Sequence, residues 1–147
     1  MSAFDFRYLE QLLVALILTS VTVVIHGIGM NWVRRYFKRA WSLTKGHPRS
    51  GSHLMVTVGI VAIRVVTHSV EVLIWALFYV LRGLISHWLS AVYFSIASYT
   101  TQGESGITLP SHWQGLGAFE AMAAMLMFGW STAMLAAVIL KVQSIDR

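Results

Sequence analysis

The chain is 147 residues long, the size of one small domain, with 56% hydrophobic and only 12% charged residues, about half the charge of an ordinary soluble domain. That balance argues against a soluble protein. The absence of cysteine excludes a disulfide framework and a thiolate metal site. The formal net charge of +5 does not argue for nucleic acid, because most of the Lys and Arg fall in one inter-segment loop, a pattern that reports membrane topology.

Residues 9–33 form an apolar run interrupted, beyond a few hydroxyl side chains, only by Glu10, Gln11, His26 and Asn31. A bilayer core about 30 Å thick takes roughly 20 residues at about 1.5 Å each, so this run predicts one spanning helix with Trp32 at an interface. The preceding segment mixes Asp5, Arg7 and Glu10 and lacks a positive leader, and no small-residue cleavage site follows, so the helix is expected to be retained. Residues 34–53 then carry Arg34, Arg35, Lys38, Arg39, Lys45 and Arg49. A loop this basic is expected on the cytoplasmic side, with the N-terminus outside. Its first half reads as a short interfacial helix with Tyr36, Phe37 and Trp41 among headgroups, ended by Gly46, Pro48 and Gly51. The loop is either a solvated topogenic segment or a site for anionic lipid.

Residues 54–81 predict a second span. Within it Arg64, His68 and Glu71 are spaced four and three apart and share one stripe, which continues to Trp75. Ionisable groups inside a bilayer cost several kcal/mol unless paired. Arg64 lies near the core or snorkels inward. Glu71 is the natural partner of His68, or of His26 on the first span, where Gly27 permits close approach. The cluster has three readings: a structural network, a proton sensor, or a metal site of two histidines and a carboxylate.

Residues 88–99 are apolar but number about a dozen, too few to cross a bilayer, and suit a re-entrant or interfacial helix. They lead into T-T-Q-G-E-S-G. Irregular backbone at membrane depth is tolerated only where it is buried in protein or lines a water-filled path. One such loop cannot wall a pore, so several copies around an axis are expected. The carbonyl end of the helix near Thr100 favours cations, and hydroxyls and carbonyls replace ion hydration. Residues 116–140 form the last span, apolar except for Glu120, Ser131 and Thr132. His87 and His112 flank the loop and are expected at solvent or an interface. The six Trp and seven Met read as interfacial belt and packing. The predicted fold is an all-α membrane protein with three transmembrane helices plus a re-entrant helix and loop, the C-terminus on the cytoplasmic side.

Three motifs in order, Y-F-S-I-A-S-Y-T-T-Q-G (93–103), L-P-S-H-W-Q-G-L-G-A-F-E-A-M (109–122) and G-W-S-T-A-M-L (129–135), resemble the pore module of the potassium-channel superfamily. The similarity covers about 56–140 and is greatest to small bacterial two-helix-pore channel proteins with an extra N-terminal span. It implies a homotetramer in a bacterial inner membrane and divides the chain at residue 53. Residues 1–53 are then the N-terminal helix and basic loop. Residues 54–147 are the pore module, with outer helix 54–82, pore helix and filter 87–110, and inner helix 115–141. Gly129 falls where inner helices bend or pack. Glu120 is expected to make a buried contact behind the pore helix.

Potassium filters read T-V-G-Y-G-D. After Thr100, the matching residues here are Thr101, Gln102, Gly103, Glu104, Ser105 and Gly106. Serine in place of a filter glycine is expected to be strained, and a carboxylate in place of the packed tyrosine would be costly if unpaired. The stacked potassium sites are therefore not expected to persist. Either Glu104 turns to the axis, giving a ring of four carboxylates suited to divalent ions, or the loop is distorted and does not conduct. The sequence thus points to a tetrameric cation channel passing potassium, sodium or a divalent ion, with no covalent cofactor and no nucleic-acid partner. Two alternatives stand beside it: a pore-scaffold protein that senses or transports metal or protons through its intramembrane His and Glu residues, and a non-conducting assembly subunit. No nucleophile–base pair or phosphate loop suggests an enzyme.

Overall fold

The computed structural model describes residues 3–44, 50–103 and 105–143. They form four α-helices, α1 (Ala3–Thr44), α2 (Ser50–Leu81), α3 (Trp88–Tyr99) and α4 (Leu116–Gln143), with one 3-10 turn at Ser111–Trp113 before α4 and no strand among the described residues. Three stretches are long and apolar enough to cross a membrane: Phe6–Ala40, Leu54–Leu81 and Ser111–Leu140. Glu104 lies outside the described residues, as do Lys45, Gly46, Pro48 and Arg49 of the basic loop.

α1 has 42 residues, about 63 Å at the rise of a helix and twice the thickness of a bilayer core. The expected separate interfacial helix is absent. Residues 34–44 continue α1 without a break, because no proline interrupts the run and the glycines at 27 and 29 are tolerated inside a helix. Gly51, expected to end the basic segment, lies in the first turn of α2.

The three long helices run up, down and up. Glu10 of α1 pairs with Arg82 beyond the end of α2, while Tyr36 reaches the Met55 carbonyl near its beginning. α1 and α2 are thus antiparallel, and their approach is set by small residues. A Cβ on Gly29 would stand 2.4 Å from Thr67 Oγ1, and one on Gly59 would stand 2.2 Å from the Tyr36 hydroxyl. The close-approach glycine of α1 is therefore Gly29. Gly27, expected to play that part, has nothing within 4 Å of the position its Cβ would take.

α4 runs antiparallel to α2. Val138 near the end of α4 packs with Val33, Val56 and Ile60, and Tyr79 near the end of α2 meets Glu120 in the second turn of α4. At the loop end of the bundle a larger apolar cluster joins Ala15, Trp75, Tyr79, Phe94, Trp113 and Leu116. Of the tryptophans whose side chains are described, Trp75 and Trp113 pack in the core, and Trp32, Trp88 and Trp130 are exposed. Buried Gln11 of α1 secures the same end. In the amide orientation that satisfies its neighbours, its oxygen accepts from the backbone N–H groups of Gly115 (3.1 Å) and Leu116 (2.9 Å), and its amide donates to the His112 carbonyl (3.1 Å). One side chain thereby serves N–H groups that every helix start leaves without an intrahelical partner.

The α1–α2 contact yields a direct test. Gly29→Val is expected to lower the thermal midpoint of the detergent-solubilised protein, with a loss of about 1–3 kcal/mol from overpacking. The Thr67 Cβ itself lies 3.1 Å from the new atom, so a rotamer change cannot make room. Gly27→Ala is expected to leave the midpoint unchanged or slightly higher.

Candidate functional site

α3 has 12 residues, about 18 Å of helix. It runs back along α2, with Phe94 against Tyr79, Ser95 bonded to the Val72 carbonyl at 2.9 Å, and Tyr99 beside Glu71 and His68. Ser95 and Tyr99 are four residues apart and so project from one face. Each lands on a carboxylate that has no exposed surface.

The first carboxylate is Glu120 of α4. It accepts from the Tyr79 hydroxyl of α2 at 2.7 Å and is hydrogen-bonded to the Ser95 hydroxyl of α3. The expected buried contact behind the short helix is thus present, and it joins three helices. The second carboxylate is Glu71 of α2. His26 Nδ1 of α1 lies 2.9 Å from its Oε1, His68 Nδ1 lies 3.2 Å from its Oε2, and the Tyr99 hydroxyl bonds to Oε2. Glu71 therefore takes both histidines that the sequence offered as alternative partners.

The remaining atoms of this second cluster are also engaged. Tyr99 Oη is 2.9 Å from His68 Nδ1. Ser131 of α4 places its hydroxyl 3.1 Å from His68 Nε2 and 3.4 Å from His26 Nε2. Arg64 is buried against α1, with Nη1 3.4 Å from His26 Nε2 and Nη2 on the Met30 sulfur; it does not snorkel. Phe128 and Trp130 of α4 stand over the imidazoles, with ring centroids 4.8 Å from His68 and 5.2 Å from His26. All four helices meet here. Sequence reasoning grouped His26, Arg64, His68 and Glu71, but it missed Tyr99, Ser131 and Met30. In the sequence Ser131 stands out only as a polar break in the last span.

Beyond Tyr99 the chain turns out of the helix through a Schellman arrangement. Thr101 N–H bonds to the Ser98 carbonyl at 3.0 Å, and Gln102 N–H to the Ala97 carbonyl at 2.9 Å. That geometry puts the residue after the cap in the left-handed region, where glycine is the usual occupant. Gly83 serves this way at the end of α2, with φ 66°; at the end of α3 the occupant is Thr101, with φ 61°. A β-branched residue there is strained by about 1–2 kcal/mol. Among the described residues of the loop, Gly103 and Gly106 also have positive φ. Ser105, expected to be strained, is not in that region, and its hydroxyl accepts from the Ile107 N–H at 3.4 Å.

Thr100, Thr101, Gln102, Gly103 and Gly106 are all exposed on the chain. Behind them, between α3 and α4, is a cavity of about 420 Å³ reached by Ser98, Thr101, Gly103, Thr108 and Gln114. His87 is exposed as expected, whereas His112 is half-buried beneath Gln11. Gly129 lies inside the unbroken α4, and a Cβ there would meet nothing within 4 Å, so no neighbour within the chain requires a glycine.

Comparison with known proteins yields no match to a family model, a curated protein or a solved structure.

The anchoring of α3 can be measured. A double-mutant cycle of Ser95→Ala with Glu120→Ala, read from unfolding in detergent, is expected to show coupling between about 0.6 kcal/mol, the average for hydrogen bonds between membrane helices, and about 1.7 kcal/mol, the largest. Tyr99→Phe is expected to destabilise the protein as well, since it removes the hydroxyl shared by Glu71 and His68. Additive effects in the cycle would show that the Ser95–Glu120 bond does not help to anchor α3.

Proposed function

We propose that this chain is the subunit of a homotetrameric cation channel related to potassium channels, with a loop that is not strictly selective for potassium. One observation carries the reading: Tyr99, the last residue of the short helix, is bonded to Glu71 and His68 in the interior of α2. Glu71 lies ten residues before the end of α2 at Leu81, about 15 Å along its axis. The polar segment that follows Tyr99 therefore begins near the middle of the apolar layer. It is exposed on a single chain, and exposed irregular backbone at that depth requires a water-filled path or neighbouring copies.

The arrangement of charge supports a cation. The loop begins at the negative end of the α3 dipole, and no Lys or Arg lies between residues 83 and 140. In the tetramer α2 is the outer helix, α4 the inner helix, and the space behind the loop adjoins the neighbouring copy. The departures at Gln102, Ser105 and Gly106, with the left-handed Thr101, support a wider or differently coordinated filter than stacked carbonyl rings. Glu104 completes it as a ring of four carboxylates. The basic end of α1 is cytoplasmic in this reading, with the N-terminus and the loop outside and the protein in a bacterial inner membrane.

Flux into liposomes tests the proposal. Purified protein is expected to pass potassium and sodium, with block or permeation by calcium that weakens at least several-fold in Glu104→Gln. Absence of flux for every monovalent cation across pH and voltage contradicts the channel. Unchanged calcium sensitivity in the variant contradicts the ring alone.

A further inference from the structure

His26, His68 and Glu71 present ligand atoms that all lie within 4.8 Å of one another. We propose that they hold one zinc ion at the junction of the four helices, a site separate from the permeation path. Two imidazoles and a carboxylate are a donor set that zinc favours over calcium or magnesium, which prefer all-oxygen shells. At bond lengths of about 2.0–2.1 Å a tetrahedral ion sets its ligands about 3.4 Å apart. The two imidazole Nδ1 atoms already lie near that distance from the carboxylate, His26 at 2.9 Å from Oε1 and His68 at 3.2 Å from Oε2 of Glu71.

The orientation of the rings strengthens the case. Both histidines turn Nδ1 toward the Glu71 carboxylate and Nε2 toward a single hydroxyl, that of Ser131. Without metal, each Nδ1–H donates to Glu71 and each Nε2 accepts, His26 from Arg64 and His68 from Ser131. With zinc, the two Nδ1 lone pairs bind the ion. The protons then reside on Nε2, where the two lone pairs of the Ser131 oxygen accept both N–H groups. A hydrogen-bonded second shell of this kind fixes the tautomer of ligating histidines. The Tyr99 hydroxyl, bonded to Glu71 and 2.9 Å from His68 Nδ1, or a water fills the fourth position.

Two features of the surroundings shape the exchange. Arg64 Nη1 loses its acceptor when His26 Nε2 becomes a donor, so zinc binding displaces the guanidinium from a contact of 3.4 Å. Entry is by way of His68, which keeps 16% of its side chain open, whereas His26 and Glu71 are closed. Since Tyr99 joins this cluster to the start of the loop, an ion here clamps α1, α2 and α4 against the end of α3.

The test uses full-length protein in detergent, stripped with chelator and titrated with zinc, with metal per chain measured by elemental mass spectrometry. One ion per chain is expected for the native protein and for His87→Ala, and loss in His26→Ala and in His68→Ala. Ser131→Ala is expected to bind about 10- to 100-fold more weakly. X-ray absorption on the zinc-loaded native protein needs no variant and is expected to show two imidazoles in the first shell. Retention of zinc by His68→Ala, a shell with fewer than two imidazoles, or no bound zinc overturns the proposal. These readouts concern binding alone, so their outcome is independent of whether the protein conducts.

Discussion

Two carboxylates without exposed surface, Glu71 on α2 and Glu120 on α4, set the arrangement of everything around them. A carboxylate enclosed in an apolar bundle is tolerable only when each oxygen has a donor. Their hydrogen-bond partners come from α1, α2 and α3: His26 on α1, His68 and Tyr79 on α2, Ser95 and Tyr99 on α3. Once these bonds are made, the rotation of each helix and the level at which α3 lies along α2 are no longer free. Apolar side chains alone would not fix that level, since lipid solvates them as well as a neighbouring helix does.

The consequence passes to the loop. α3 is too short to stand by itself, and its last residue is held by Glu71, so the polar segment after Tyr99 starts from a fixed point. The strain at Thr101 is carried because Thr101 N–H and Gln102 N–H both close onto the helix end. α1 contributes at three levels: Gln11 at the start of α4, His26 at the central cluster, and Gly29 and Tyr36 toward the basic end. The N-terminal helix is therefore bonded into the same network as the short helix, through Glu71.

Much of this was legible in the sequence. The four- and three-residue spacing of Arg64, His68 and Glu71 placed them on one stripe, because helical periodicity is local. His26, the one titratable group deep inside the first apolar run, could be offered as their partner for the same reason that makes unpaired charge costly. The other contacts were hidden. In a membrane helix nearly every face is apolar, so composition does not reveal which glycine approaches a neighbour, and Gly27 could not be told from Gly29. Ser131 and Tyr99 join the cluster only through the register between helices 31 and 63 residues apart, which no local pattern encodes. The unbroken course of α1 past residue 33 was obscured because a change from apolar to basic residues marks an interface without ending a helix.

The central claim, that copies of this chain gather their loops around a shared ion path, is tested most directly by a density map of the detergent-solubilised protein. Four copies are expected about one axis, with residues 100–103 of each nearest to it, α4 lining the path and α2 outside. A monomer or dimer, or an assembly in which residues 100–103 face the detergent, would contradict it.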